Sequence, residues 1–287
     1  MDFLISLAMI PIGFLCGILL LGLHRKIIAR IQGRPGPPIQ QELYHNLKFF
    51  VKEVTVPRTA SLPITLGITV LIIGIWNIAI LTIFMGLSLY IIFSILVTQK
   101  IVEHGGGLAT GSPYGKFGGV RSVFTTMTEL PLFGIAIALI YLETGSSLMI
   151  SDLWSYQATH GSLITHVPLA FLAIFIVVLS KMKYSPFAII YGKDIVTGYQ
   201  TVHYGSLRSC LLTGESLMVF SWISVLVTVF LAGLPIWGMI LAGIGILILI
   251  SFIAALTPLL APHHSIQFQA SIVMGILGIR LVLELVI

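Results

Sequence analysis

At 287 residues the chain is long enough for one large soluble domain, yet only 9% of it is charged, 57% is hydrophobic and the mean hydropathy is +1.07. A soluble fold carries roughly 25% charged residues on its surface, and disorder needs low hydrophobicity with many charges, so both are excluded. The net charge of +5 has to be read by position, because Lys and Arg in a lipid-embedded chain first report topology.

The first apolar block, 3–23, follows Asp2 and is closed by His24-Arg25-Lys26. That charge order retains it as a spanning helix with the N-terminus outside. Further blocks run at 62–78, 80–98, 122–142, 163–179, 207–231, 235–256 and 266–286. They are continuous rather than alternating, which excludes a β-barrel. The stretch 61–102 is about 63 Å long as helix, enough for two crossings of a core roughly 30 Å thick. A tight turn is predicted near Trp76-Asn77; the alternative of one long tilted helix gives seven spans. The expected fold class is all-α: a polytopic membrane protein of about eight transmembrane helices, with residues 1–287 as a single integral membrane domain. Its cytoplasmic loops are expected at 24–60 and 181–206, with an amphipathic interfacial helix in the first.

The basic residues support this division. Arg25, Lys26, Arg30, Arg34, Lys48, Lys52 and Arg58 fall between the first two spans. Lys100, Lys116 and Arg121 fall between the third and fourth, and Lys181, Lys183, Lys193 and Arg208 between the fifth and sixth. Arg280 is the one exception, so a single face carries nearly all the positive charge, the cytoplasmic one by the positive-inside rule. Both termini are then outside, and the net charge needs no nucleic acid.

Within 24–60, Pro37-Pro38 opens a segment where Ile39, Leu43, Leu47, Phe50, Val51 and Val54 recur at helical spacing, opposite Gln40, Gln41, Glu42, His45, Asn46, Lys48, Lys52 and Glu53. That is the pattern of a helix lying in the membrane interface, as a lipid-facing anchor or as a docking surface. Cys16 and Cys210 stand alone, so thiolate-held clusters and a disulfide have no support, and both are expected to be buried. His263-His264 lacks further ligands, so no metal site is expected. Gly105-Gly106-Gly107 is no nucleotide fingerprint and is expected to be a flexible connection.

An acid inside the bilayer is costly and a functional candidate by default. Glu129, in Thr125-Thr126-Met127-Thr128-Glu129-Leu130-Pro131, and Glu215, in Thr213-Gly214-Glu215-Ser216, are the two placed deep in spans. Burial is expected to raise a carboxyl pKa and poise such a group to take and release protons. Glu103, at the inner end of the third span, and Asp194, in the loop after the fifth, are further candidates. Structural hydrogen bonding between helices is the competing reading for these acids.

Ala29-Arg30-Ile31-Gln32-Gly33-Arg34-Pro35-Gly36-Pro37, followed by Gln41-Glu42 and Lys48-Phe49-Phe50-Val51-Lys52-Glu53, resembles the subunit 1 family of respiratory complex I. Thr110-Gly111-Ser112-Pro113-Tyr114 with Gly118-Gly119-Val120-Arg121 is more similar to the version in group 4 energy-converting nickel–iron hydrogenases and formate hydrogenlyases. Lys183-Tyr184-Ser185-Pro186-Phe187 and Gly198-Tyr199-Gln200-Thr201-Val202-His203-Tyr204 match the family's loop between spans five and six. The pattern departs at Ala188, where the family has Asp, at His203, where it has Glu, and at His24, also Glu in the family.

The resemblance implies a non-redox membrane subunit of an oxidoreductase complex in a prokaryotic cell membrane, coupling electron transfer to proton or sodium translocation. The alternatives are a quinone-site subunit of a complex I-type dehydrogenase and a purely structural anchor. It implies no catalytic residue, metal or cofactor on this chain; the nickel–iron centre and iron–sulfur clusters belong to partner subunits. Those partners are hydrogenase-like large and small subunits, a ferredoxin-like iron–sulfur subunit and an antiporter-like membrane subunit, with the lipid bilayer around them. Glu129, Glu215, Asp194, Glu103 and His203 are then the ion path, and Arg30, Gln32, Arg34, Lys48 and Lys52 the docking surface for the soluble arm.

Overall fold

The computed structural model describes residues 3–145, 147–189 and 198–286, and Asp194 lies outside them. The described residues form ten α-helices and no sheet: α1 Phe3–Ile31, α2 Gln41–Val51, α3 Leu62–Met85, α4 Leu89–Ala109, α5 Pro113–Thr144, α6 Ile150–His160, α7 Pro168–Lys181, α8 Ser206–Phe230, α9 Ile236–Leu256 and α10 Pro262–Val286. Six of them (α1, α3, α5, α8, α9 and α10) are long and apolar enough to cross a membrane. The 14-residue α7 is short, and α4 is interrupted by Gln99, Lys100, Glu103 and His104.

The turn expected at Trp76-Asn77 lies instead at Gly86-Leu87-Ser88. Trp76 is buried within α3 against Trp222, ring centroids 6.2 Å apart. Gly86 ends α3 at φ 73°, a conformation that costs glycine nothing, and the Ser88 side chain caps α4. Hydropathy could not place this break, because the apolar run passes straight through it. The short helix α6 between α5 and α7 was not expected either. Its start is tied to the α3–α4 turn by Leu89 N–H to the Leu148 carbonyl (2.9 Å) and Ile150 N–H to the Leu87 carbonyl (3.0 Å).

α8 is the axis of the bundle, packing on α1, α2, α3, α7 and α9 and burying most of its length. Close approach to it is made possible by small residues. A Cβ on Gly17 of α1 would lie 1.9 Å from the Ser216 carbonyl oxygen. The glycine run of α4 has a related role rather than that of a flexible connection. It is helical, Gly106 receives the Tyr199 ring 3.0 Å from where a Cβ would stand, and a Cβ on Gly107 would come within 2.4 Å of the Gly115 carbonyl oxygen. Cys16 is exposed on α1 and Cys210 partly so, against the expectation of two buried thiols.

The amphipathic helix α2 exists, but with its polar side inward. Glu42 and Asn46 are buried while Tyr44, Leu47, Phe50 and Val51 are exposed. Asn46 donates to Thr213 Oγ1 (3.1 Å) and accepts from Ser209 on α8, and Glu42 pairs with Arg25 of α1. An inward polar face with an outward apolar one suits a helix lying at the lipid boundary.

Gly17→Ala should therefore force α1 and α8 apart and lower stability by about 1–3 kcal/mol, as overpacking does. Gly67→Ala, where a Cβ meets nothing within 4 Å, should leave it unchanged or raise it. Thermal unfolding of the detergent-extracted protein reads both.

Candidate functional site

Glu129 is fully buried in α5, and its carboxylate is met there by two lysines that the sequence pattern places in loops. Its Oε2 accepts from Lys181 Nζ at 2.6 Å and lies 2.9 Å from Lys100 Nζ, while its Oε1 accepts from Ser180 Oγ at 2.6 Å. Lys100 and Lys181, expected in loops, are only 4% and 3% exposed inside α4 and at the end of α7. The positive-inside count therefore included two lysines that serve as internal counter-charges.

Lys100 has a second acid within reach. Its Nζ lies 3.6 Å from Glu103 Oε2, one helical turn away, and donates to Thr125 Oγ1 at 2.6 Å. Glu103 accepts from Gln99 Nε2 (2.6 Å) and from the Ser122 hydroxyl. Two carboxylates and two ammonium groups thus form a quartet of zero net charge, closed by the hydroxyls of Ser122, Thr125 and Ser180. In a medium of low dielectric constant such a quartet is tolerable only with this pairing and hydrogen bonding. Pro131, two residues beyond Glu129, removes one N–H from the α5 ladder beside the cluster.

Glu215, on α8, belongs to a separate group and pairs with Lys183, just beyond α7. The Lys183 carbonyl lies 2.8 Å from His24 Nε2, and the Nδ1 of the same ring is 2.7 Å from Ser251 Oγ of α9. Between the two groups stands Tyr199. Burial, and after it the nearness of Glu103 and more weakly of Glu215, pushes its hydroxyl well above the usual phenol range. The 198–200 turn that carries it packs on both α4 and α5.

His203 is buried four residues later, its Nδ1 3.0 Å from the Tyr199 carbonyl oxygen, and its Nε2 has no partner among the described residues. Burial, aided by the Arg208 cation and opposed by that carbonyl, holds its pKa below the usual imidazole value. The expected path residues are therefore divided: Glu103 and Glu129 meet through Lys100, Glu215 pairs with Lys183, His203 contacts the Tyr199 carbonyl, and Asp194 lies outside the described residues. Lys100, Lys181, Lys183 and Tyr199 were missed as site residues. The i, i+3 spacing of Lys100 and Glu103 was the one local signal, since an acid and a base one turn apart share a helix face.

Of the expected docking residues, Arg30, Gln32, Arg34 and Lys48 are exposed. Lys52 is half-buried and donates to Tyr204 Oη at 2.8 Å, with the tyrosine ring beside it. Two cavities open at this basic end. One, of about 270 Å³, is lined by His24, Arg25, Glu42, His45, Lys183 and Arg208 among others. The other, of about 600 Å³, lies between α1 and α9. At the opposite end Glu143 takes a hydrogen bond from Tyr156 and lies 3.3 Å from His166. The rings of His263 and His264 lie 3.9 Å apart and tilted at the start of α10, and among the described residues no three His, Cys, Asp or Glu side chains gather as metal ligands would.

Removing one member should expose the balance of the quartet. Lys181→Met leaves it with a net negative charge and should cost about 3–5 kcal/mol, as breaking a buried pair does. Lys181→Met combined with Glu129→Gln restores neutrality and should recover part of that loss in the same thermal assay. Acidification acts on His203. Below pH about 6.5 the unfolded chain takes up a proton that the folded site resists, so stability falls with pH. In His203→Gln the fall between pH about 7.5 and about 5.5 should be shallower by up to one proton's slope.

Comparison with known proteins agrees with this architecture. The family model described as NADH dehydrogenase matches residues 4–285. A Methanocaldococcus jannaschii protein provisionally named as an NADH-ubiquinone oxidoreductase is 51% identical over 264 residues, covering 91% of this chain and 89% of its own. An NADH-quinone oxidoreductase subunit of Geobacillus kaustophilus is 26% identical over 230 residues, 73% of this chain and 68% of its own. Among solved structures, a chain of the membrane-bound sulfane sulfur reductase, an archaeal respiratory membrane complex, superimposes with a TM-score of 0.85 at 24% identity, covering 96% of this chain and 97% of that one. The chain belongs to the NADH dehydrogenase family, that of subunit 1 of complex I.

Proposed function

We propose that this chain, a membrane subunit of a complex I-like respiratory complex, anchors a soluble redox arm and couples its electron transfer to proton or sodium translocation, as in energy-converting hydrogenases. The observation that carries the reading is Lys100, a buried cation within ion-pair range of both Glu129 and Glu103. A cation shared by two acids can change partner with a small movement, and each change alters which carboxylate is free to take up a proton or another cation. A purely structural role needs no such redundancy, since one acid per lysine satisfies the same groups.

The other end of the coupling is the basic surface of the chain. Arg30 and Lys48 are exposed there, and α2, which carries Lys48, reaches the loop of Tyr199 through the contact of Lys52 with Tyr204. A soluble arm bound on this face is thereby one side chain removed from the helix that carries Glu103 and Lys100. The iron–sulfur and nickel–iron centres that such a complex needs would reside on the partner subunits, together with an antiporter-like membrane subunit receiving the charge movement.

Glu129→Gln, measured in inverted membrane vesicles, should abolish ion uptake driven by the complex while electron transfer by the soluble arm is retained to within about twofold, the charge step having been removed without the redox centres. Loss of assembly with no selective loss of coupling would instead identify the chain as a structural anchor. The subunits that copurify after gentle detergent extraction decide the type of complex: a nickel–iron subunit supports the hydrogenase reading, and a quinone-reducing arm without one overturns it.

A further inference from the structure

The cavity of about 600 Å³ at the basic end of α1 and α9 is separate from the buried quartet. Its walls are Ile28 and Ala29 of α1, Pro35, Gly36 and Pro37 of the following loop, Ala254 of α9 and Leu259 beyond it. Its polar lining is Arg25, Gln32 and Arg34, with Tyr184, and no carboxylate lines it among the described residues. The Arg34-Pro35-Gly36-Pro37 segment folds back onto α1 to form the rim: Arg34 N–H donates to the Ala29 carbonyl (2.8 Å), and Gly36, at φ 72°, sits against Ala29.

Depth in the membrane follows from two helices independently. Arg25 lies 22 residues past Phe3 along α1, roughly 33 Å, and Ala254 lies 18 residues past Ile236 along α9, roughly 27 Å. A helix crossing a hydrocarbon core of roughly 30 Å therefore brings both residues to its boundary with the headgroups. On α1, apolar side chains stay uncovered below this level, Leu15 and Leu19. The cavity thus has cations at headgroup level beside a helix that offers hydrocarbon contact.

We infer that this cavity holds the headgroup of an anionic phospholipid, its phosphate facing the guanidinium groups of Arg25 and Arg34 and its acyl chains lying along α1. Guanidinium forks match phosphate oxygens in pairs, and Arg25, though bonded to Glu42 through one nitrogen, has further N–H donors to offer. Gln32, already hydrogen-bonded to Arg34, holds that side chain at the rim. The assignment goes beyond the coupling role and does not depend on it. It gives Arg34 to the membrane and leaves Arg30 and Lys48 for a soluble partner.

The test is native mass spectrometry of the purified, delipidated complex titrated with phosphatidylglycerol, with phosphatidylcholine and inorganic phosphate as comparison probes. Phosphatidylglycerol should be retained in preference to phosphatidylcholine. Arg34→Gln, which alters an exposed side chain hydrogen-bonded to its neighbour Gln32, should weaken that retention about tenfold. Ala254→Leu, which fills the cavity without removing a charge, should weaken it as well while the complex stays assembled. Equal retention of the two lipids, or no response to either variant, overturns the inference. Competition by inorganic phosphate as strong as by the lipid also overturns it, because the site would then serve a free anion.

Discussion

Everything in the centre of this bundle is arranged around one carboxylate that has no access to solvent. Glu129 sits between Lys181 at 2.6 Å and Lys100 at 2.9 Å, and Glu103 balances the second lysine. Buried charges are stable only when paired and hydrogen-bonded, so the quartet dictates that α4, α5 and the end of α7 stay in register. It also accounts for the polar composition of these helices near their inner ends, where Gln99, Ser122, Thr125 and Ser180 complete the hydrogen bonding. The apolar core above this layer fixes the fold, and the quartet determines how the helices are placed within it.

The same requirement turns α2 inside out. In a soluble protein the apolar face of an amphipathic helix points to the core. Here the bundle offers α2 a polar wall of Arg25, Ser209 and Thr213, and the surroundings offer hydrocarbon, so Glu42 and Asn46 turn inward while Leu47, Phe50 and Val51 face out. The contact of Lys52 with Tyr204 then ties the helix to the loop that carries His203 and Tyr199. What looks from the sequence like a peripheral anchor is thereby attached to the same loop that approaches Glu103.

How much of this was legible follows from what a one-dimensional pattern can hold. Long apolar helices, an amphipathic segment after Pro37-Pro38 and the family of the chain are all written in composition, period and motif. The α3–α4 turn was not, because Gly86-Leu87-Ser88 interrupts hydropathy too briefly to register, whereas Trp76-Asn77 imitates an interfacial break. The site was half legible. Glu129 stood out as an acid in an apolar span, but Lys181 stands at the edge of its span, where topology rules assign lysines to a loop. Only the packing of α7 on α5 reveals it as a partner, and Tyr199 required the contact between a loop and the glycines of α4. Pairings between distant segments leave no local trace.

That contact bears on the proposed coupling. The three glycines of α4 face different neighbours, Gly105 Ile68, Gly106 Tyr199 and Gly107 Gly115, and the Tyr199 ring lies 3.0 Å from where a Cβ on Gly106 would stand. A displacement of the 198–205 loop that drives the Tyr199 ring inward presses directly on the backbone of α4, because Gly106 has no side chain to yield. Gly106 is one turn from Glu103 and less than two from Lys100, so a shift of the helix changes the very distances that decide whether Lys100 favours Glu129 or Glu103. Close packing transmits small displacements in this way because interiors are dense and stiff. The scarcity of charge in the chain is then no obstacle to coupling: one lysine shared by two acids and one ring seated on glycine form a shorter linkage than a file of carboxylates, with fewer buried charges to stabilise.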